Sequence, residues 1–359
     1  MIQYLLRRIT ASIPVLFGIL IVTFVLARVI PGDPCRAILG EKATVEVCER
    51  FIKIHGLDKP IHQQLFIYIG EILRGDFGES IRLSMPVTRL LIERLPTTVE
   101  LSIAALLVSL LFGIPLGIIS AVRHNSWIDV ITMIWANIGV SMPVFWLGLM
   151  LIYVFSLLLK DTPFWLPPSG RISPGIPDTP FYEVWGWEVA KEGFLAGLFT
   201  FLSRMNVLNA LLTFNWKLLR DSLEHLVLPA LALGTIPMAL IARMARSAML
   251  DVLGQDYIRT AKAKGLGKMA VILKHAFSNA LLPLVTVIGL SLGGLLGGAV
   301  LTETVFGLSG LGRTLYEAIT ARDYGIIQSF TVVIAVFYVA INLLVDISYA
   351  YLDPRIRLN

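Results

Sequence analysis

The sequence predicts an all-α polytopic membrane protein with six transmembrane helices and both termini on the cytoplasmic side. Three observations lead there. The chain of 359 residues is 56% hydrophobic and only 15% charged, with a mean hydropathy of +0.77. Soluble chains carry nearer a quarter charged residues. The apolar residues come in blocks of about 20 or more, the length that crosses ~30 Å of hydrocarbon. The basic residues crowd into one connection between two such blocks, as positive-inside topology requires.

The expected spans are Ile9–Ile30, Thr98–Val122, Ile128–Leu159, Leu226–Met244, Ala276–Leu301 and Ile326–Tyr351. Arg7 and Arg8 precede the first. Its apolar core exceeds the h-region of about 7–15 residues in a signal peptide, and no small-residue cleavage site follows, so it reads as an anchor. Six spans return Arg355 and Arg357 to the side of Arg7 and Arg8. The connections Pro31–Pro96 and Lys160–His225 then fall on the outer side, with near-balanced charge: nine basic against nine acidic residues in the first, six against seven in the second. Arg243–His275 falls inside and carries seven Lys/Arg against two Asp. The sequence pI near 9.2 therefore comes largely from one loop and needs no nucleic-acid partner.

In the first outer connection, Cys35 and Cys48 are the chain's two cysteines. They could form a disulfide, worth about 3 kcal/mol for so short a loop, or remain two free thiols. GLDKP at Gly56–Pro60 reads as a turn. Leu65, Ile69, Ile72 and Leu73 fall near helical spacing. RGDFGESIR, Arg74–Arg82, reads as a Gly-rich turn, and VTRLLIERLP opens a short interfacial helix expected to end before Pro96.

In the second outer connection, Trp165–Trp187 is too rich in Pro and Gly for a regular helix. Its Trp residues suit the headgroup level. Phe194–Leu219 is apolar enough to suggest a seventh span, but Arg204, Asn206 and Asn209 fall in its middle. A charge there costs a few kcal/mol, so an interfacial helix is expected instead. In span five, Gly289, Gly293 and Gly297 stand four apart with Gly294 and Gly298 beside them. That spacing lets helix backbones approach closely, or marks a pathway-lining helix around Gly293, Gly297 and Glu303.

Catalytic machinery is missing from the pattern. The five His residues form no recognisable metal spacing, and no GxSxG elbow occurs. GLGK at Gly265–Lys268 lacks the rest of a phosphate-binding loop. Nor is there the mid-membrane carboxylate of an ion-driven carrier. Asp346 is the deepest carboxylate, and similar depth suggests pairing with Arg243 or Arg246, unless those arginines snorkel. A stand-alone channel would fit such a chain, but it leaves the patterned inner segment unexplained.

That segment, about residues 245–275, is the candidate functional site. Leu250, Leu253, Tyr257, Ile258 and Ala261 fall at helical spacing, opposite Arg259, Lys262 and Lys264. Gly265 is expected to stop the helix. One apolar and one basic face fit either a lipid surface or a protein groove.

Gly254–Thr286, GQDYIRTAKAKGLGKMAVILKHAFSNALLPLVT, resembles the EAA-type loop of ABC importer permeases of the dipeptide, oligopeptide and nickel branch. GLDKP, RGDFGESI, RLPTTVELS, SMPVFWLGL, WLPPSGR, GGAVLTETVFGLSGLGR, ARDY and LDPRIRL extend the likeness, in order, over nearly the whole chain. The chain departs at the EAA triplet, where it reads Arg259, Thr260, Ala261, and in a later Leu282–Pro283 pair. Both departures are similar to the peptide branch.

The resemblance implies a type I importer permease fold in a bacterial or archaeal cytoplasmic membrane, with an N-terminal helix and outer loop over 1–95 and a core transmembrane domain over 96–359. It implies a second homologous permease, cytoplasmic ATPase subunits that hold ATP and Mg, an extracytoplasmic binding protein and a peptide substrate, with nickel as the alternative cargo. This chain itself would bind no cofactor. The coupling residues it implies are Asp256, Tyr257, Arg259, Ala261, Lys264 and Gly265.

Overall fold

The computed structural model describes residues 2–29, 35, 43–54, 56, 58–80, 82–190 and 193–352. Arg355 and Arg357 lie outside the described residues. Among the described residues, five helical stretches are long and apolar enough to cross a membrane: Arg7–Val25, Val87–Val122, Trp216–Leu253, Ala270–Gly297 and Tyr324–Tyr349. The first belongs to α1 (Ile2–Val29). Two short helices follow, α2 (Val45–Ile54) and α3 (Ile61–Leu73). Cys35 and Cys48 are joined in a disulfide.

The helix expected to end before Pro96 does not end there. α4 (Val87–Val122) runs without a break through Pro96 and Pro115. An interior proline costs about 3 kcal/mol. Here burial offsets it, because Leu90, Leu91 and Leu95 on the turns before Pro96 pack against Leu311, Ala318 and Phe330. Tertiary packing thus overrides a local stop signal.

The expected third span is not one rod. It consists of α5 (Trp127–Ser141) and α6 (Val144–Leu151), the latter continuing as a π-helix over Ile152–Leu158, with a bend of 101° between them. Pro143 has no N–H to donate and forces Met142 into extended backbone (φ −101, ψ 135). The single interfacial helix expected over 194–219 is likewise two pieces. After the single turn α7 (Phe181–Val184), α8 (Phe194–Ser203) and α9 (Asn206–Leu212) meet at 94°. Each is too short to cross ~30 Å alone. The polar residues that argued against a span are the ones held by the fold. Asn209 is buried and accepts the Phe181 N–H at 2.8 Å, and Arg204 reaches Glu93 at 3.6 Å.

α10 (Trp216–Leu253) extends the expected fourth span at both ends, and Asn215 caps it by accepting the Leu218 N–H at 3.0 Å. α4 and α10 run parallel in van der Waals contact. A Cβ on Gly113 would lie 2.8 Å from the Met238 carbonyl oxygen, one on Gly117 2.5 Å from that of Ala242, and one on Gly234 2.7 Å from that of Ala105. Two buried carboxylates hold the pair to its neighbours. Asp129 on α5 accepts two 2.8 Å bonds from Arg246 on α10, and also bonds Ser120 on α4. At the opposite end Glu100 accepts from Arg171 at 2.9 Å and from the Val207 N–H at 2.7 Å.

The chain then passes through α11 (Asp256–Ala263) and a π-helical lead-in, Ala270–Phe277, to α12 (Ser278–Gly298). α13 (Val300–Val305), α14 (Leu311–Ala321) and α15 (Tyr324–Leu352) complete it. A two-residue β-hairpin, β1 (Glu79–Ser80) with β2 (Met85–Pro86), was not expected. It is stitched to the α14–α15 turn, where buried Asp323 accepts from the Ser80 hydroxyl at 2.6 Å. Ser329 donates to the Phe77 carbonyl at 2.9 Å. Two sequence motifs, RGDFGESI and ARDY, therefore meet in space.

The pairing expected for Asp346 is corrected. It lies 3.3 Å from Arg8, while Arg246 serves Asp129 and Arg243 serves Asn137. The reason is lateral. α15 packs between α1 and α12, so equal depth did not make α10 its neighbour.

Two outcomes follow from this packing. Gly117→Ala would ordinarily favour a helix by about 1 kcal/mol. Against the Ala242 carbonyl it is overpacked at a cost of about 1–3 kcal/mol, so the melting temperature of the purified protein falls; a rise would contradict the close approach. Asp129→Asn and Arg246→Met each destabilise by about 1.5–3 kcal/mol, the range for hydrogen bonds to charged groups, and the double variant loses clearly less than their sum. Strictly additive losses would remove the ion pair from the account.

Candidate functional site

α11 forms because its ends are well supplied. Asp256 sits in the first turn and Lys262 in the last, each favourable to the helix dipole. Gly265 adopts φ +77, and its N–H bonds the Lys262 carbonyl at 3.0 Å while the Leu266 N–H bonds that of Ala261 at 3.3 Å. This is a Schellman stop, which favours a residue without Cβ. The long periodic helix expected from Leu250 onward is instead divided. Leu250 and Leu253 close α10, Gly254 caps it, and α11 starts afresh at Asp256.

The apolar face of α11 is already occupied by its own chain. Ile258 is fully buried and Ala261 nearly so, in a cluster with Ala121 of α4, Ala248 and Met249 of α10, Val271 and Ala276 of the lead-in, and Ala280 of α12. Neither lipid nor a foreign groove is needed to cover it. The other face is free. Asp256, Tyr257, Arg259, Lys262 and Lys264 are exposed, and the 3.5 Å Arg259–Asp256 pair is so solvated that it adds little. Beside it lies a cavity of about 810 Å³ lined by Arg123, Lys262 and Lys268 over Val122, Leu253 and Val271. Five of the six singled-out residues thus stand at or next to the free face, while Ala261 belongs to the buried one.

The residues singled out on span five do not come together. Gly293 packs on Tyr338, where a Cβ would meet the ring at 2.6 Å. Gly297 and Gly294 face open space. Glu303 lies in α13, fully buried, and accepts from the Thr98 hydroxyl at 2.6 Å and the Arg313 N–H at 2.8 Å. Thr98 in turn accepts the Leu311 N–H at 2.8 Å. The carboxylate is a cap on the N-terminus of α14, where unpaired N–H groups and the dipole favour a negative charge. It is not on an open surface of this chain. Sequence reasoning missed Asn137, which receives Arg243 and is a polar residue amid apolar neighbours; that isolation was the available signal.

Residues 113–358 match the family described as binding-protein-dependent transport system inner membrane component, and residues 1–104 match its N-terminal family. The chain is 43% identical to the dipeptide transport system permease protein of Alkalihalophilus pseudofirmus, over 99% of this chain and 100% of the relative. It is 40% identical to the dipeptide transport system permease protein of Escherichia coli K12, over 99% of each. The oligopeptide transport system permease protein of Bacillus subtilis is 38% identical, over 99% of this chain and all of the relative. The chain is a multi-pass protein of the cytoplasmic membrane and belongs to the inner-membrane permeases of binding-protein-dependent transport systems.

Proposed function

We propose that this chain is one permease subunit of an ATP-driven importer of di- and oligopeptides, working with a second, homologous permease. Relatives carrying peptide-transport names match it end to end. ATP and Mg reside on cytoplasmic ATPase subunits, since this chain carries no phosphate-binding loop of its own. A binding protein delivers peptide from the outer side. In this reading both termini and α11 are cytoplasmic, residues 1–95 form the anchor and outer loop, and 96–359 form the core. The open face at Gly294 and Gly297 suits close approach of the second permease.

One observation carries the mechanism: α11 packs by its buried face against the ends of α4, α10 and α12, while its polar face is bare. When ATP closes the ATPase subunits, they push on Asp256, Tyr257, Arg259 and Lys264. Close-packed interiors do not yield locally, so the push moves α4, α10 and α12 as a body and changes the open side of the pathway. Ala261 transmits the load, and Gly265 holds the helix end that receives it.

The test is a reconstituted complex with binding protein and labelled dipeptide. Gly265→Pro cannot adopt φ +77 and breaks the stop; Lys264→Glu reverses a charge on the bare face. Both variants insert and hydrolyse ATP, but uptake per ATP falls about 5–150-fold, the usual range of an allosteric coupling. Undiminished uptake in both would overturn the assignment of α11.

A further inference from the structure

Arg243 stands ten residues before the end of α10, about 15 Å from it. Its neighbours Ala242 and Ala245 meet α4 at Gly117, inside the apolar run that ends at Val122. The side chain does not turn back toward the nearer surface. It donates to Asn137 Oδ1 on α5, and Asn137 lies about 12 Å beyond Asp129 in the direction away from α11. This is the reverse of snorkelling, and follows from side chains tilting toward the helix N-terminus.

The Asn137 amide is itself held in place. Its Nδ2 donates to the Met133 carbonyl at 2.6 Å, so Oδ1 is left for the guanidinium. Arg246, one turn on, is neutralised by Asp129. Arg243 has no carboxylate partner among the described residues, yet its side chain is exposed. Intramembrane cations face water-filled cavities or polar partners, and the only side-chain oxygen that receives this one among the described residues is Asn137 Oδ1. A groove of about 960 Å³ runs along α5, lined by Asp129, Asn137, Ser141 and Arg246 among apolar residues such as Trp127 and Ile134, and Arg243 borders it through its bond to Asn137.

We propose that this groove is the chain's wall of the hydrated pathway, and that Arg243, steadied by Asn137, binds the terminal carboxylate of a peptide in transit. This rests on the peptide-importer reading above. A guanidinium presents a planar fork of N–H donors that matches a carboxylate. The small gap between Arg243 and the neutralised Asp129–Arg246 pair then separates a binding cation from a structural one. The wall lies on α5 and α10, away from Gly293 and Glu303, both of which are buried in the bundle.

The native disulfide leaves no free thiol among the described residues, and the sequence has no further cysteine, so introduced cysteines report their own surroundings. In membrane vesicles carrying the assembled complex, Ile138→Cys and Ser141→Cys in the groove are compared with Ile131→Cys and Trp135→Cys, exposed positions of α5 outside it. A charged, membrane-impermeant thiosulfonate labels the groove pair at least about tenfold faster than the outer pair, because thiolates form and react in water. Equal inertness of all four overturns the inference, while ATP-dependent dipeptide uptake by the unsubstituted complex in the same vesicles keeps the importer reading standing; absence of that uptake defeats the importer reading itself. Arg243→Gln lowers dipeptide uptake about tenfold with ATP hydrolysis retained, and Arg243→Lys recovers part of it. Undiminished uptake by Arg243→Gln removes the carboxylate-binding role.

Discussion

Three glycines let the backbones of α4 and α10 touch, and the rest of the molecule is arranged around that contact. Gly113, Gly117 and Gly234 each face a carbonyl of the other helix at a distance that excludes a Cβ. Lipid offers no hydrophobic drive for helices to associate, so close dispersion contact and buried hydrogen bonds must supply it. The Ser109 hydroxyl, 2.7 Å from the carbonyl oxygens of both Ala105 and Gly234, shares its proton across the centre of the seam. Asp129 and Glu100 then tie each end of the pair to the surrounding elements.

A seam this tight has a mechanical consequence. α11 is attached at one end of it by Ile258 and Ala261, through a cluster that draws on both seam helices and on α12. A short cationic helix on a flexible tether would lose a push to local bending. Here the Schellman stop at Gly265 and the buried face leave little slack, so in the proposed importer a displacement of α11 would carry the spanning helices with it. The glycine-poor interior of α11 and the φ +77 of Gly265 both serve the stiffness that the proposed coupling requires. At the other end the hairpin at Ser80 is fastened to Asp323, which joins the N-terminal part to the last spanning helix.

Much of this was legible in the residues. Block length and hydropathy located the spanning helices, and positions such as Ile258 and Ala261 declared a buried face by their spacing. The stop at Gly265 also followed from local chemistry, whereas Cys35 and Cys48 were left open between a disulfide and free thiols until the structure joined them. What was hidden is what depends on rotation about a helix axis or on packing. Pro96 signals a stop, yet α4 continues because its leucines are paid for by contact with α14 and α15. Met142–Pro143 was a readable break, masked by the apolar residues on both sides. Asp346 could be assigned a depth but not a neighbour, and its partner proved to be Arg8. Glu303 read as a pathway-lining carboxylate until the N–H groups of α14 gave it a structural task.

The central claim is that α11 is a handle on the cytoplasmic face, gripped by ATPase subunits. A single cysteine at Thr260, on the bare side of α11 beside Arg259, tests it most directly. The expected result is modification by an impermeant thiol reagent in inverted vesicles only, with protection when the ATPase subunits are bound. Modification of that cysteine in right-side-out vesicles, or indifference to the ATPase subunits, would contradict the account.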